Sequence, residues 1–262
     1  MRIVRFSPPA GSPLGSDPHF GVLEDEMTIR AIASDPLYAG IYKEEHTLPL
    51  DSVRLLAPVI PRSKVVCVGK NYADHAAEMG GEVPAEPIIF IKPNTSVIGP
   101  DDLIQWPQAS ERIDHEAELA VVISKICKEV PRAKAKDVIF GYTVANDVTA
   151  RDLQKRDGQW TRGKGFDTFC PLGPWIDTDF TPADQRITAT VAGEMKQDAK
   201  LSEMVFDVPT IIEFVTSVMT LLPGDVILTG TPSGIGPMVA GGDVVITIEG
   251  LGSLRNKVSA RG

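Results

Sequence analysis

The densest set of candidate catalytic groups is Asp114-His115-Glu116-Ala117-Glu118, at the head of the apolar run Ala117–Ile123. On an extended strand Glu116 and Glu118 stand at i and i+2 and point to one face. Two neighbouring carboxylates repel each other, burial sharpens the repulsion, and a hard divalent cation relieves both. Asp147, closing the segment GYTVAND, is a third oxygen donor. Three carboxylates without a thiolate favour Mg2+ or Mn2+ over Zn2+. The alternative is a set of surface acids at strand ends.

A second constellation is Gly69-Lys-Asn-Tyr-Ala-Asp-His75-Ala-Ala-Glu78-Met-Gly80-Gly81. On one helical turn His75 and Glu78 share a face. A carboxylate beside an imidazole fixes its tautomer and stabilises its protonated form, as a general base requires. Flanking glycines allow the segment to move as a lid. An exposed helix with an incidental pair is the plainer reading. Past Asp147 come Thr149, Arg151, Asp152 and Gln154, then Arg162 and Lys164. Beside a metal site, Arg and Lys could bind a substrate carboxylate; otherwise they form a solvated basic loop. The segment PGDVILTGTPSGIG lacks the P-loop, dinucleotide and GxSxG patterns, and reads as a strand followed by a tight loop whose N–H groups could meet an anion. His19 and His46 read as surface or core residues.

These groups need elements to hold them. Valine-rich Lys64–Gly69, Ile88–Ile91, Ala117–Ile123, Gly141–Asp147, Asp225–Thr229 and Asp243–Glu249 read as strands. Val208–Leu222 carries a broad apolar stripe, opened by Pro209 and stopped at Pro223-Gly224, and predicts the main helix. With no repeated βα pattern, the class is α+β, β-dominated. Residues 1–60 read as a small N-terminal module and 61–262 as the catalytic domain, with a boundary near Pro58 and Pro61.

Composition narrows the setting. Against 35 Asp+Glu there are 26 Lys+Arg, a net charge of −9. This excess of negative charge disfavours nucleic acid and anionic membranes. No apolar stretch of roughly 18 residues suits a membrane helix, and the start of the chain shows no signal-peptide pattern. Cys67, Cys127 and Cys170 are odd in number and lack CxxC spacing, as expected of free thiols in a cytoplasmic protein.

Taken in order, VGKNYADHAAEM, PIIFIKPNTSVIGP, DHEAELAVVI, FGYTVANDVTARDLQ, RGKGFDTFCPLGPW, PGDVILTGTPSGIG and GDVVITIEGLGSLRNKV resemble the fumarylacetoacetate hydrolase family, in its short bacterial, acylpyruvase-like branch. The likeness covers residues from about 62 to 260. It implies a mixed β-roll or pseudo-barrel domain, usually in a homodimer. It implies Mg2+ or Mn2+ on Glu116, Glu118 and Asp147, an acid–base dyad of His75 and Glu78 on a lid, Lys164 near metal and substrate carboxylate, and Gln154, Thr231 and Arg151 as pocket positions. The implied substrates are 2-oxo or 2,4-dioxo acids, cleaved beside the 2-oxo carboxylate by hydrolysis of an acylpyruvate or decarboxylation of oxaloacetate. The runner-up is a 2-hydroxyhepta-2,4-diene-1,7-dioate isomerase or 5-oxopent-3-ene-1,2,5-tricarboxylate decarboxylase of aromatic catabolism. A non-catalytic 2-oxo-acid binding protein is the more distant alternative.

Overall fold

The computed structural model describes residues 1–261. Strand accounts for 39% of the chain and helix for 18%, which is the β-dominated α+β class. The largest sheet runs, edge to edge, through Lys43–Pro49, Thr28–Ile32, His19–Leu23, Arg2–Ser7, Cys170–Asp177, Ile139–Asn146, Ala117–Ile123, Val226–Leu228, Val65–Gly69 and Ile88–Lys92. A five-stranded sheet is ordered Glu194–Lys200, Arg186–Val191, Asp243–Ile248, Gly252–Val258, Leu103–Ile104. Both sheets are open paths and do not close into a barrel.

The central strand Ala117–Ile123 is buried at every position, because both of its faces are covered. Leu119, Val121 and Ile123 enter the main core with Ile187, Ala189, Ile246 and Leu254 of the five-stranded sheet. Ala120 and Val122 enter a second core with Cys67, Cys170 and Leu228. Glu118 lies on that second side, one pleat from Ala120, so a carboxylate is carried into the interior by a strand that burial holds rigidly. The neighbouring strand Ile139–Asn146 pairs with it antiparallel, Glu118 opposite Ala145 and Ala117 opposite Asn146. One step further, the Asp147 N–H donates to the Glu116 carbonyl at 2.9 Å.

One sequence expectation meets a correction in detail. The helix begins at Val208 as expected, with Asp207 accepting from the Thr210 N–H at its start, but ends at Val218 rather than at the Pro223-Gly224 turn. Leu221 instead exchanges two backbone hydrogen bonds with Cys127, at 3.0 and 2.9 Å, which draws the chain out into an extended bridge. The N-terminal strands, in turn, continue the large sheet: Arg2 pairs with Asp177 and Ile3 with Ile176. Val4, Phe6 and Ile29 form a small core of their own, against which Trp175 of the main sheet packs. Among the described residues no helix is long and apolar enough to cross a membrane.

Candidate active site

Two strands deliver the acids. Glu116 precedes the buried strand, Glu118 is its second residue, and Asp147 follows the partner strand. Ligand atoms of all three lie within 4.8 Å of one another. All three are buried. Lys164 Nζ, on the short helix Thr161–Lys164, donates to Glu116 Oε2 and Asp147 Oδ2 at 2.7 Å each. Arg151 Nη2 donates to the other Glu116 oxygen at 2.5 Å, while its Nε donates to Asp114 at 2.9 Å and its Nη1 to Gln154 at 2.7 Å.

The carboxylates are unequally supported. Burial pushes the Glu116 carboxyl up, but Lys164 and Arg151 more than offset this and hold it below the ordinary range. Among the described residues Glu118 accepts only from the Gly230 N–H, at 2.6 Å. Burial first, then the charges of Asp147 and Glu116, push its carboxyl well above the ordinary range. A convergent set of buried oxygens, one of them without a cationic partner, fits a hard divalent ion.

The helix Ala73–Glu78 lies over these acids. His75 Nδ1 is 3.2 Å from Glu78 Oε2, and the other Glu78 oxygen accepts from the Gly234 N–H at 3.1 Å, which ties this helix to the loop after Val226–Leu228. His75 is only 6% exposed. It lines one pocket together with Glu116, Glu118, Asp147, Arg151, Gln154, Lys164 and Thr231. Glu78 stands behind the histidine rather than in the lining. The free cavity is about 30 Å3, room for little more than water.

The sequence reading missed two supporting residues. Lys92, at the end of Ile88–Lys92, is fully buried and donates to Asp147 Oδ1 at 2.5 Å and to the Val148 carbonyl at 3.1 Å. A lysine closing an apolar run before Pro93 was the only local signal. Gln197 accepts from the Ala117 N–H at 2.9 Å and donates to Thr231 Oγ1 at 2.8 Å, joining the acid-bearing strand to the pocket loop. It sits in a polar hairpin strand and carried no signal.

Comparison with known proteins shows the family. Residues 64–259 match the model of the fumarylacetoacetate (FAA) hydrolase C-terminal domain, and residues 1–58 match an Rv2993c-like N-terminal domain. The chain belongs to the fumarylacetoacetate hydrolase family. Protein Rv2993c of Mycobacterium tuberculosis is 53% identical over 266 residues, covering 100% of this chain and 99% of that protein. The structure of 2-hydroxyhepta-2,4-diene-1,7-dioate isomerase from Mycobacterium marinum superposes with a TM-score of 0.90 at 48% identity, covering 100% of this chain and 99% of that one. Maleylpyruvate hydrolase from Sphingobium sp. SYK-6, in complex with manganese(II) ion and pyruvate, superposes with a TM-score of 0.79 at 30% identity, covering 99% of each chain. The family's members are hydrolases, isomerases and tautomerases, and this chain is an enzyme.

Proposed function

We propose that the chain is a Mg2+- or Mn2+-dependent enzyme on 2-oxo or 2,4-dioxo acids that breaks the C–C bond beside the 2-oxo carboxylate. Its first reaction is acylpyruvate hydrolysis, with oxaloacetate decarboxylation open to the same site. The observation that carries this reading is the meeting of Glu116, Glu118 and Asp147 with His75 and Lys164 in one buried pocket. The manganese and pyruvate held by the Sphingobium hydrolase support it.

Glu116, Glu118 and Asp147 would hold the ion. Bound there, it supplies Lewis acidity toward the carboxylate and keto oxygens of a 2-oxo acid. The chain's own side chains handle position and protons. Lys164, already against two of the acids, adds positive charge where the substrate carboxylate arrives. Glu78 accepts from Nδ1 of His75 and so leaves Nε2 free to take a proton. That nitrogen takes a proton from water as the water oxygen adds to the distal carbonyl carbon of a 3-acylpyruvate. The bond from that carbon to C3 breaks, its electron pair stays with the pyruvate fragment as an enolate, and His75 returns the proton to C3. Gln154, Thr231 and Arg151 would shape the substrate's seat. Helix Ala73–Glu78 would exclude bulk water once closed.

A second reading uses the dyad for proton transfer alone, as a 2-hydroxyhepta-2,4-diene-1,7-dioate isomerase or related decarboxylase of aromatic catabolism. The likeness to the M. marinum isomerase over the full chain favours it. In the same proposal residues 1–60 are a distinct module, and the enzyme is a cytoplasmic homodimer without nucleic-acid or membrane partners; the net charge of −9 supports the last point.

The test is the loss of ultraviolet absorbance from acetylpyruvate with Mg2+ and again with EDTA. Metal-dependent loss, giving pyruvate and acetate, is expected. No loss from folded, metal-loaded protein would overturn the hydrolytic reading and favour the isomerase.

A further inference from the structure

Positive charge around the pocket is unevenly partnered. Lys164 is bound by Glu116 and Asp147, Lys92 by Asp147, and Arg151 by Asp114 and Glu116. Lys70 lines the same pocket. Among the described residues its ammonium has neither a hydrogen-bond acceptor nor a carboxylate within ion-pairing distance. Every other cation of the lining is already neutralised by the protein; this one is not.

The backbone presents Lys70 deliberately. It follows directly on strand Val65–Gly69 with φ of 56°, a left-handed conformation uncommon outside glycine, and turns the chain toward the helix that carries His75. Its ammonium lies beside Gly81, where an added Cβ would come within 2.9 Å of Nζ, so the missing side chain leaves room for the charge. One residue earlier, an added Cβ on Gly69 would come within 2.6 Å of the Trp160 ring, which packs edge-on against Phe90 at 5.2 Å between centroids. Trp160 and Phe90 also line the pocket. A half-buried cation in a pocket attracts an anion more strongly than it would on an open surface.

We infer that Lys70 binds the distal carboxylate of a dicarboxylic 2-oxo acid and selects diacids over monoacids with the same head group. The inference rests on the proposed reading that the 2-oxo carboxylate head binds at Glu116, Glu118, Asp147 and Lys164. Lys70 sits on the segment that enters the lid, so a diacid engages both the floor of the pocket and its cover. A monoacid of equal length leaves the ammonium unpaired.

The test compares ligands that share a head and differ at the tail. Calorimetry of the Mn2+-loaded full chain would measure malate, which ends in a carboxylate, against 2-hydroxybutyrate, which ends in methyl. Oxalate, which has no tail, reports the head site. Wild type should prefer malate at least tenfold. Lys70→Met should lower the ratio of the two affinities about tenfold, and Lys70→Arg should restore most of it. An unchanged ratio in Lys70→Met, or an equal weakening of both ligands, overturns the assignment of Lys70 while oxalate binding keeps the head site intact. Failure of wild type to bind oxalate overturns the underlying reading and this inference with it.

Discussion

The ammonium of Lys92 is completely buried 2.5 Å from Asp147 Oδ1. Asp147 therefore has a cation on each oxygen, Lys92 on one and Lys164 on the other. The interior holds this carboxylate in one orientation, and one of its two cations comes from a residue 55 positions earlier.

Lys92→Met keeps the length of the side chain and removes its charge. Breaking a buried pair at one partner leaves the other uncompensated, a loss of about 3–5 kcal/mol. Urea unfolding without metal should show a deficit of about 3 kcal/mol. Saturating Mn2+ should recover more of it than the same metal adds to wild type, because the ion returns positive charge to Asp147. An equal metal increment in both proteins would contradict the positioning role.

His75→Ala removes the group assigned to proton transfer without touching the acids. Turnover of acetylpyruvate should fall about 100- to 10,000-fold, the range for a positioned acid–base group. Mn2+ affinity, read by calorimetry, should stay within a few-fold. A variant with wild-type turnover would remove the dyad from the mechanism.

Metal should stabilise the native state by mass action. At a concentration about 100 times Kd the gain is about 2.7 kcal/mol, several degrees in melting temperature for a chain of this size. Asp147→Ala should abolish both this increment and the activity. Full activity after chelation and dialysis would sink the metal assignment.

Asp225 offers a pH test far from the pocket. Burial pushes its carboxyl up, but the Lys64 ammonium at 2.8 Å, together with the Leu222 N–H and the Ser63 hydroxyl, draws it below the ordinary range. A depressed native value means that the stabilisation is complete above the unfolded value, near about 3.9, and disappears as pH falls through the native one. Asp225→Asn should cost about 1–3 kcal/mol at pH 7 and flatten the acid limb of the stability curve below about pH 4. An unaltered acid limb would place the titration elsewhere.

Much of this site was legible in the linear chain because its chemistry follows local periods. Glu116 and Glu118 share a face because a strand repeats every two residues. His75 and Glu78 meet because a helical turn brings i and i+3 together. The strands reading as apolar runs formed, since β-branched residues suit a pleat covered on both sides. Long-range partners left no such mark. Nothing in IIFIK says that its lysine reaches Asp147, nor does KQDAK say that its glutamine braces Ala117 and Thr231. The helix end shows the same limit: the apolar stripe runs on to Leu222, but Cys127 claims Leu221 from across the fold.

The sequence by itself therefore determined which groups are present and how each short segment presents them, because those are consequences of covalent order and local backbone period. Only the tertiary structure decided that His75, Glu118, Asp147 and Lys164 enclose one small cavity, which cations there are already neutralised, and that Lys70 has no such partner among the described residues. Those properties depend on distance and burial between segments remote in the chain, and both arise only when the sheets pack.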